Sequence, residues 1–322
     1  MKILFLGTSE FACPSLKRLS AIPDFHIVGV VTQPDRPRGR GRHSFSSPVH
    51  TLADELYLPV LQPEKVREKD FIRQVRALNP DVLALAAFGQ IIPRSLLELA
   101  PLGPINLHGS LLPFYRGAAP IQYALLNGEK KTGVTTMWMA PELDAGDILL
   151  QSSLEIGSDE DAGELTMRLS HLGAELLVQT LYLLEKGGCP RIVQDHSRAT
   201  FAPSITPADC IISWEESSER CSNRIRALSP RPGAVAALRQ KKVKIWRAMW
   251  HEISAQGVPG EIVQIQSKDV LVNTGSGTLT LQEVQPENSR RMSAGDWARG
   301  ARIAPGDRFD SADYGFGASQ AK

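Results

Sequence analysis

The segment Ile105-Asn106-Leu107-His108-Gly109 puts an amide and an imidazole two residues apart in an apolar run. On an extended strand, alternate side chains share a face. Asn106 and His108 therefore project to one side, and Ile105 and Leu107 to the other. An amide and an imidazole side by side at a strand end can polarise a carbonyl and move its proton. A buried Asn next to a buried His is costly without partners, so a site explains the pair better than a core does. Further along, Leu143-Asp144-Ala145-Gly146-Asp147 offers Asp144 as a partner for the histidine. The same residues are also an ordinary loop composition, and spacing alone does not decide between the two.

Two basic segments suggest anions. Asp35-Arg-Pro-Arg-Gly-Arg-Gly-Arg-His43 brings Arg36, Arg38, Arg40 and Arg42 close together. Cations at this density repel one another without an anionic partner, which favours phosphate contact. From Arg220 to Trp250 there are nine Lys or Arg and no Asp or Glu. Lys241, Lys242 and Lys244 stand within it, and Trp246 and Trp250 are interleaved. A positive barrel face of this kind suits an RNA backbone.

Other chemistries are disfavoured. Gly7-Thr8-Ser9-Glu10 follows the first strand, where a dinucleotide fingerprint would carry two further glycines. No phosphate-binding loop of the G-x-x-x-x-G-K-[ST] type occurs. The four cysteines form no C-x-x-C pair and stand near no histidine at zinc spacing, so reduced thiols and no metal are expected. With a net charge of +1, any nucleic-acid contact must come from local patches. No apolar run approaches the roughly 20 residues of a membrane span. The chain opens directly on a strand with no signal or transit segment before it, which points to a bacterial cytoplasm.

These residues need elements to position them. In the first half, short apolar runs alternate with helical spacing. Strands are predicted at Ile3–Leu6, Ile27–Val31, Pro59–Leu61, Val82–Ala86 and Ile105–His108. Helices are predicted at Phe11–Leu19, Ser47–Leu56, Pro63–Leu78 and Pro93–Leu99. Ala118–Asn127 reads as another helix, Thr132–Met139 as a strand, and Ile148–Leu150 as the start of one more. Ser158–Lys186 has a strong helical period, with Ser158 as its cap. The alternation argues for a doubly wound, mainly parallel, Rossmann-like α/β sheet, in which ligands sit beyond the carboxyl ends of the strands. After Ile211 a helix at Glu216–Ala227 leads into five short strands: Gly233–Leu238, Lys242–Met249, Gly260–Gln266, Val270–Thr274 and Thr278–Val284. Such a run suggests a smaller, OB-like β-barrel. The expected organisation is a catalytic domain over 1–188, a linker over 189–208, the barrel over 209–312 and a flexible tail over 313–322.

The stretches Gln33-Pro34-Asp35-Arg36-Pro37, Ile105–Pro113, Tyr115-Arg116-Gly117-Ala118-Ala119-Pro120-Ile121-Gln122 and Leu143–Asp147 resemble the methionyl-tRNA formyltransferase family, within the wider formyl-folate transferases. Ile225-Arg226-Ala227-Leu228-Ser229-Pro230, closed by Pro232-Gly233-Ala234, resembles the opening of that family's second domain. The similarity runs from Lys2 to about Arg308. Phe114-Tyr115 departs from it, since relatives often carry a basic or other residue followed by Trp. The resemblance implies formyl transfer from 10-formyltetrahydrofolate to the methionine α-amine of initiator methionyl-tRNA, by a monomer. It implies a catalytic trio of Asn106, His108 and Asp144, and a folate border of Ser110, Leu111, Leu112 and Pro113. The loop near Arg40 would meet the tRNA acceptor end. A formyltransferase acting on a glycinamide ribonucleotide or an amino sugar nucleotide would use the same chemistry; the first would not need the barrel or the arginine loop, and the second is usually fused to a further large domain. A non-enzymatic RNA-binding module would not need the intact trio.

Overall fold

A run that is apolar on both faces belongs in a parallel sheet covered on both sides. Lys2–Gly7 forms such a strand, β1, buried from Ile3 to Leu6. The computed structural model describes residues 1–38, 43–253 and 255–311, and of 37, 38, 43 and 44 the backbone only. The tail expected over 313–322 lies outside the described residues. After β1 come α1 (Cys13–Ser20), β2 (His26–Val31), β3 (Arg36–Arg38), β4 (His43–Phe45), α2 (Pro48–Glu55), β5 (Val60–Leu61) and α3 (Lys69–Leu78). They are followed by β6 (Val82–Ala86), α4 (Arg94–Leu97), β7 (Pro104–His108), α5 (Pro120–Leu126), β8 (Lys131–Trp138), β9 (Ile148–Glu155) and α6 (Ala162–Glu185).

By packing, the chain divides into two units. The first comprises Met1–Pro120, Lys131–Glu155 and Thr166–Ala202; the second comprises Ile121–Lys130, Ile156–Leu165 and the chain from Pro203 onward. The first unit holds a seven-stranded sheet in the order β5-β2-β1-β6-β7-β8-β9. Pairings from β5 through β7 are parallel, while β8 and β9 are antiparallel. Strand order reverses about β1, which opens a crevice at the carboxyl ends of the neighbouring strands. Asn106 and His108 stand at that end of β7, as the doubly wound reading requires. A Cβ on Gly173 would lie 2.7 Å from Leu107 Cδ2, so α6 needs the glycine to lie close against β7.

Some boundaries differ from expectation for local reasons. The helix expected from Pro63 begins only at Lys69. Val66 N–H donates to Gln90 Oε1, and Gln90 Nε2 reaches the carbonyls of Pro63 and Glu64, so this backbone is satisfied without helix. The long helix starts at Ala162, not after Ser158. Asp161 Oδ1 accepts from Glu164 N–H and Glu164 Oε2 accepts from Asp161 N–H, a reciprocal capping box. Part of the stretch expected as a linker is bonded into the first unit. Ile192 bridges Ile148, and Phe201 bridges Arg116. Isolated bridges leave no hydrophobic period for a sequence to show.

The second unit continues with α7 (Ser218–Ala227), β10 (Ala234–Leu238), β11 (Lys241–His251), β12 (Ile262–Ile265), β13 (Val270–Asn273), β14 (Thr278–Pro286), β15 (Met292–Ser293) and α8 (Ala294–Gly300). Its sheet runs β10-β11-β14-β13-β12, with β15 on β14, and all its pairings are antiparallel. Phe309 bridges Leu238 of β10, and Arg308 bridges Glu261 beside β12, so the terminal segment ties the two edges together. Phe309 also stacks on Trp214 at 4.5 Å between ring centroids. The short helix α8 was not expected from sequence, although Ser293 caps it by accepting from Asp296 N–H.

Gly173→Val should push α6 away from β7. The expected overpacking cost is about 1–3 kcal/mol, read as a lowered Tm in a thermal melt. An unchanged Tm would mean that this close approach is not needed.

Candidate active site

β7 positions the site because its register fixes both polar side chains. Asn106 pairs across to Leu85 and Met137, and His108 pairs to Thr135, which puts the two on one face. His108 is buried at 6% exposure, while Asn106 is only half-buried. The Asn106 amide has no hydrogen-bond partner among the described residues. His108 Nε2 lies 3.0 Å from the Tyr115 carbonyl oxygen. His108 Nδ1 lies 3.6 Å from Asp144 Oδ2, an ion-pair approach longer than a hydrogen bond. Both ring nitrogens thus face oxygen acceptors; a ring carrying two protons satisfies both and a neutral ring satisfies one.

Asp144 Oδ2 accepts from Gly117 N–H at 2.8 Å, so the carboxylate is held from two sides. Gly117 has φ 124°, and a Cβ there would meet the Ala202 carbonyl oxygen at 2.5 Å, so only glycine fits. The trio expected from sequence is therefore gathered at the end of β7. Sequence reasoning did not find the groups that hold it: the Tyr115 carbonyl, the Gly117 N–H, and the buried Arg116 and Gln194 behind them. The one available signal was the Tyr115-Arg116-Gly117 motif, which carries no chemistry until its backbone is seen.

The expected folate border divides by exposure. Ser110 and Leu112 are buried, while Leu111 and Pro113 are half-buried and can offer surface to a ligand. Ser110 Oγ donates to the Phe114 carbonyl at 2.6 Å. Thr135 Oγ1 donates to the Ser110 carbonyl at 2.6 Å and accepts from Leu112 N–H and from Gln151 Nε2. Gln151 Nε2 also reaches the Leu112 carbonyl at 2.9 Å. Leu112 packs with Met137 and Ile148. The loop is thus shaped from inside by β8 and β9.

The arginine run begins on an antiparallel hairpin, in which Arg36 pairs with Phe45 and Arg38 with His43. Arg36 is exposed; of Arg38 only the backbone is described, and Arg40 and Arg42 lie outside the described residues. Asp35 pins the hairpin base. It accepts from Gln62 Nε2 at 2.7 Å and Ser46 Oγ at 3.0 Å, and its Oδ1 lies 2.9 Å from His50 Nδ1. The His50 hydrogen bond, helped by Gln62 and Ser46, holds the Asp35 carboxyl below its usual range.

The second basic segment is less free than its composition implied. Arg220 and Arg224 pair with Glu216, and Arg239 pairs with Asp307. Arg226 is buried, with Nε on Asn223 Oδ1 and Nη1 on the Gly157 carbonyl, and burial pushes its guanidinium below the usual value. Acids from outside the segment cancel part of its charge, which composition within the segment could not reveal. Lys241, Lys242, Lys244 and Arg247 are exposed on β11. Trp246 is buried, with the Arg291 guanidinium 3.8 Å from its ring, so it is not an open stacking platform.

Burial pushes the Cys13 thiol up to about 11 and the Cys221 thiol up to about 12, which removes both as nucleophiles. Among the described residues, no group of His, Cys, Asp or Glu is arranged to hold a metal ion. No helix among them is long and apolar enough to cross a membrane.

Residues 1–181 match the formyl transferase family model, and residues 204–302 match its C-terminal domain. The chain belongs to the formyl transferase family. It is 44% identical to the methionyl-tRNA formyltransferase of Geobacter metallireducens, over 96% of this chain and 98% of that protein. It is 45% identical to the protein of the same name from Syntrophus aciditrophicus, over 95% and 98%. Among solved structures, it resembles the N-formyltransferase from Helicobacter canadensis in complex with folinic acid and dTDP-3-aminofucose. That match has a TM-score of 0.64 and 17% identity, covering 89% of this chain and 99% of that one. HypX from Aquifex aeolicus in complex with tetrahydrofolic acid matches with a TM-score of 0.62 and 17% identity, over 92% of this chain and 47% of that one. These structural matches speak to the fold.

Asp35 has a depressed carboxyl value in the folded protein, so it stabilises the fold above the unfolded value of about 3.9. That contribution is lost as the pH falls through the folded value. Asp35→Asn should flatten this acid-side loss, followed by amide hydrogen exchange in α2. An identical acid profile in the variant would remove Asp35 as the pin.

Proposed function

We propose that this chain transfers a formyl group from 10-formyltetrahydrofolate to the α-amine of methionine on initiator methionyl-tRNA, as a monomer in a bacterial cytoplasm. The observation that carries the reading is the Asn106 amide, unpaired among the described residues, beside the buried His108–Asp144 pair, in a chain similar to methionyl-tRNA formyltransferases along nearly all its length. A small-amine acceptor, as in the sugar-acting structural neighbours, is supported only by similarity near 17% identity.

The donor, when bound, supplies the formyl carbon. The attacking α-amine has an unperturbed value of about 7.7–8.0, and the neighbouring ester lowers it, so little base strength is needed. Asn106 presents its amide N–H groups to the formyl oxygen as negative charge develops there. His108 donates a second hydrogen bond or carries the proton to the departing nitrogen through Nε2, which exchanges the Tyr115 carbonyl for substrate while Nδ1 stays against Asp144. Asp144, with Oδ2 3.6 Å from His108 Nδ1, positions the His108 ring. Leu111 and Pro113 supply apolar surface for the folate, with Ser110 and Leu112 shaping the loop. Arg36, Arg38, Arg40 and Arg42 meet phosphates near the acceptor end, and Lys241, Lys242 and Lys244 meet the RNA backbone.

The test is to supply the donor with initiator methionyl-tRNA, elongator methionyl-tRNA and glycinamide ribonucleotide in parallel. Product on the initiator tRNA alone supports the reading, and product on the ribonucleotide instead discards it. Asn106→Ala should lower kcat by about 10²–10³, as loss of one oxyanion donor does elsewhere. Wild-type turnover in that variant would sink the oxyanion role.

Charge reversal of Lys242 together with Lys244 should weaken tRNA binding and reduce its salt slope by about one for each phosphate no longer neutralised. A titration at several salt concentrations reads this out, and an unchanged slope would remove these lysines from the interface.

A further inference from the structure

The mechanism leaves the Gln194 side chain unused, yet it is 3% exposed and every polar atom of its amide is engaged. Nε2 donates to the carbonyls of Asp144 at 2.8 Å and Gly146 at 2.6 Å. Oε1 accepts from Arg116 Nε at 3.1 Å and Nη2 at 2.6 Å. Arg116 is itself buried at 5% exposure, and its Nη2 also donates to His196 Nδ1 at 3.3 Å. Among the described residues no carboxylate pairs with this guanidinium, so the Gln194 oxygen is its principal acceptor.

Arg116 stands between the two backbone groups that address His108 and Asp144. The Tyr115 carbonyl faces His108 Nε2, and the Gly117 N–H holds Asp144 Oδ2. One amide thus fastens the Asp144 loop on one side and the 115–117 loop on the other. Both loops carry backbone strain, since Tyr115 has φ 59° and Asp144 has φ 49°. Left-handed conformations at residues other than glycine persist only where the surroundings over-determine them. Gln194 supplies that restraint at Asp144, and the Thr200 hydroxyl supplies it at Tyr115 by accepting from its N–H at 2.8 Å.

We propose that Gln194 is a positioning residue for formyl transfer, clamping the Asp144 loop to the Arg116 loop and so setting Asp144 against His108. This rests on the reading of His108 and Asp144 as the catalytic pair. No common substitution reproduces the clamp. Glu keeps the Arg116 bonds but turns both donations into oxygen facing oxygen. Met keeps the volume and loses every bond.

The experiment measures kcat and KM for initiator methionyl-tRNA and for the formyl donor with Gln194→Met and Gln194→Glu, each alone and combined with Asp144→Asn, alongside thermal melts. Misplacement of about 1 Å can cost about 10²-fold in rate, so kcat should fall roughly 10- to 100-fold in either single variant. KM for both substrates should stay within about threefold, because Gln194 is buried and bonded to the two loops. In the Asp144→Asn background, either change should cost less than about threefold further, since the residue it positions is already disabled. Gln194→Glu keeps the acceptor for Arg116, now as an ion pair, and serves as the folded variant if Gln194→Met melts early. Wild-type kcat in a folded variant overturns the inference. So does an equal loss in both backgrounds, which marks a purely structural role. A wild-type chain that forms no formyl-methionyl-tRNA overturns the functional reading and this inference with it. An active wild type with equally active variants overturns the inference alone.

Discussion

Burying a carboxylate next to an imidazole is the constraint around which the first unit is arranged. Neither His108 nor Asp144 has enough water to satisfy it, so the protein must supply donors and acceptors at fixed places. It does so mostly with backbone. The Tyr115 carbonyl and the Gly117 N–H come from one short loop and reach the two partners from opposite sides of Arg116. Backbone groups suit this task because they have no rotamer to lose and cannot be neutralised. Strain at Tyr115 and Asp144 accompanies this arrangement, and the bonds from Gln194, Arg116 and Thr200 over-determine both loops.

The contrast between Asn106 and its neighbours follows from the same logic. Ser110, Thr135 and Gln151 commit their polar atoms to one another and to the loop backbone. Asn106 commits none among the described residues, although it is half-buried on a central strand. A polar group left unpaired beside such a network is where a substrate oxygen gains most from a fixed donor. The sheet makes this possible, since β7 is held on both sides by its pairing with β6 and β8, which fixes the face that Asn106 presents.

In the second unit, charge is settled by the fold and not by the run of residues. Arg220, Arg224 and Arg239 are neutralised by acids that lie outside the basic segment, while β11 turns Val243 and Ile245 inward and leaves Lys242 and Lys244 outside. The period of two that builds the barrel core therefore also sorts which cations face solvent. Trp246 follows neither expectation for an exposed aromatic, because the register shift after Ile245 and the covering Arg291 bury its ring.

Local sequence by itself determined the elements whose signals are periodic: the parallel strands through β7, the long helix α6, the antiparallel strands of the second unit and the shared face of Asn106 and His108. Those properties depend on spacing along a strand or helix, and spacing is what a sequence states directly. The tertiary structure alone decided where Asp144 goes, since a loop acid can face anywhere until its backbone is bent at φ 49° and bonded to Gly117. It also decided that the stretch around Gln194 belongs to the site. Single bridges and side-chain-to-backbone bonds across many residues obey no period, so nothing in the order of residues 189–208 announces them.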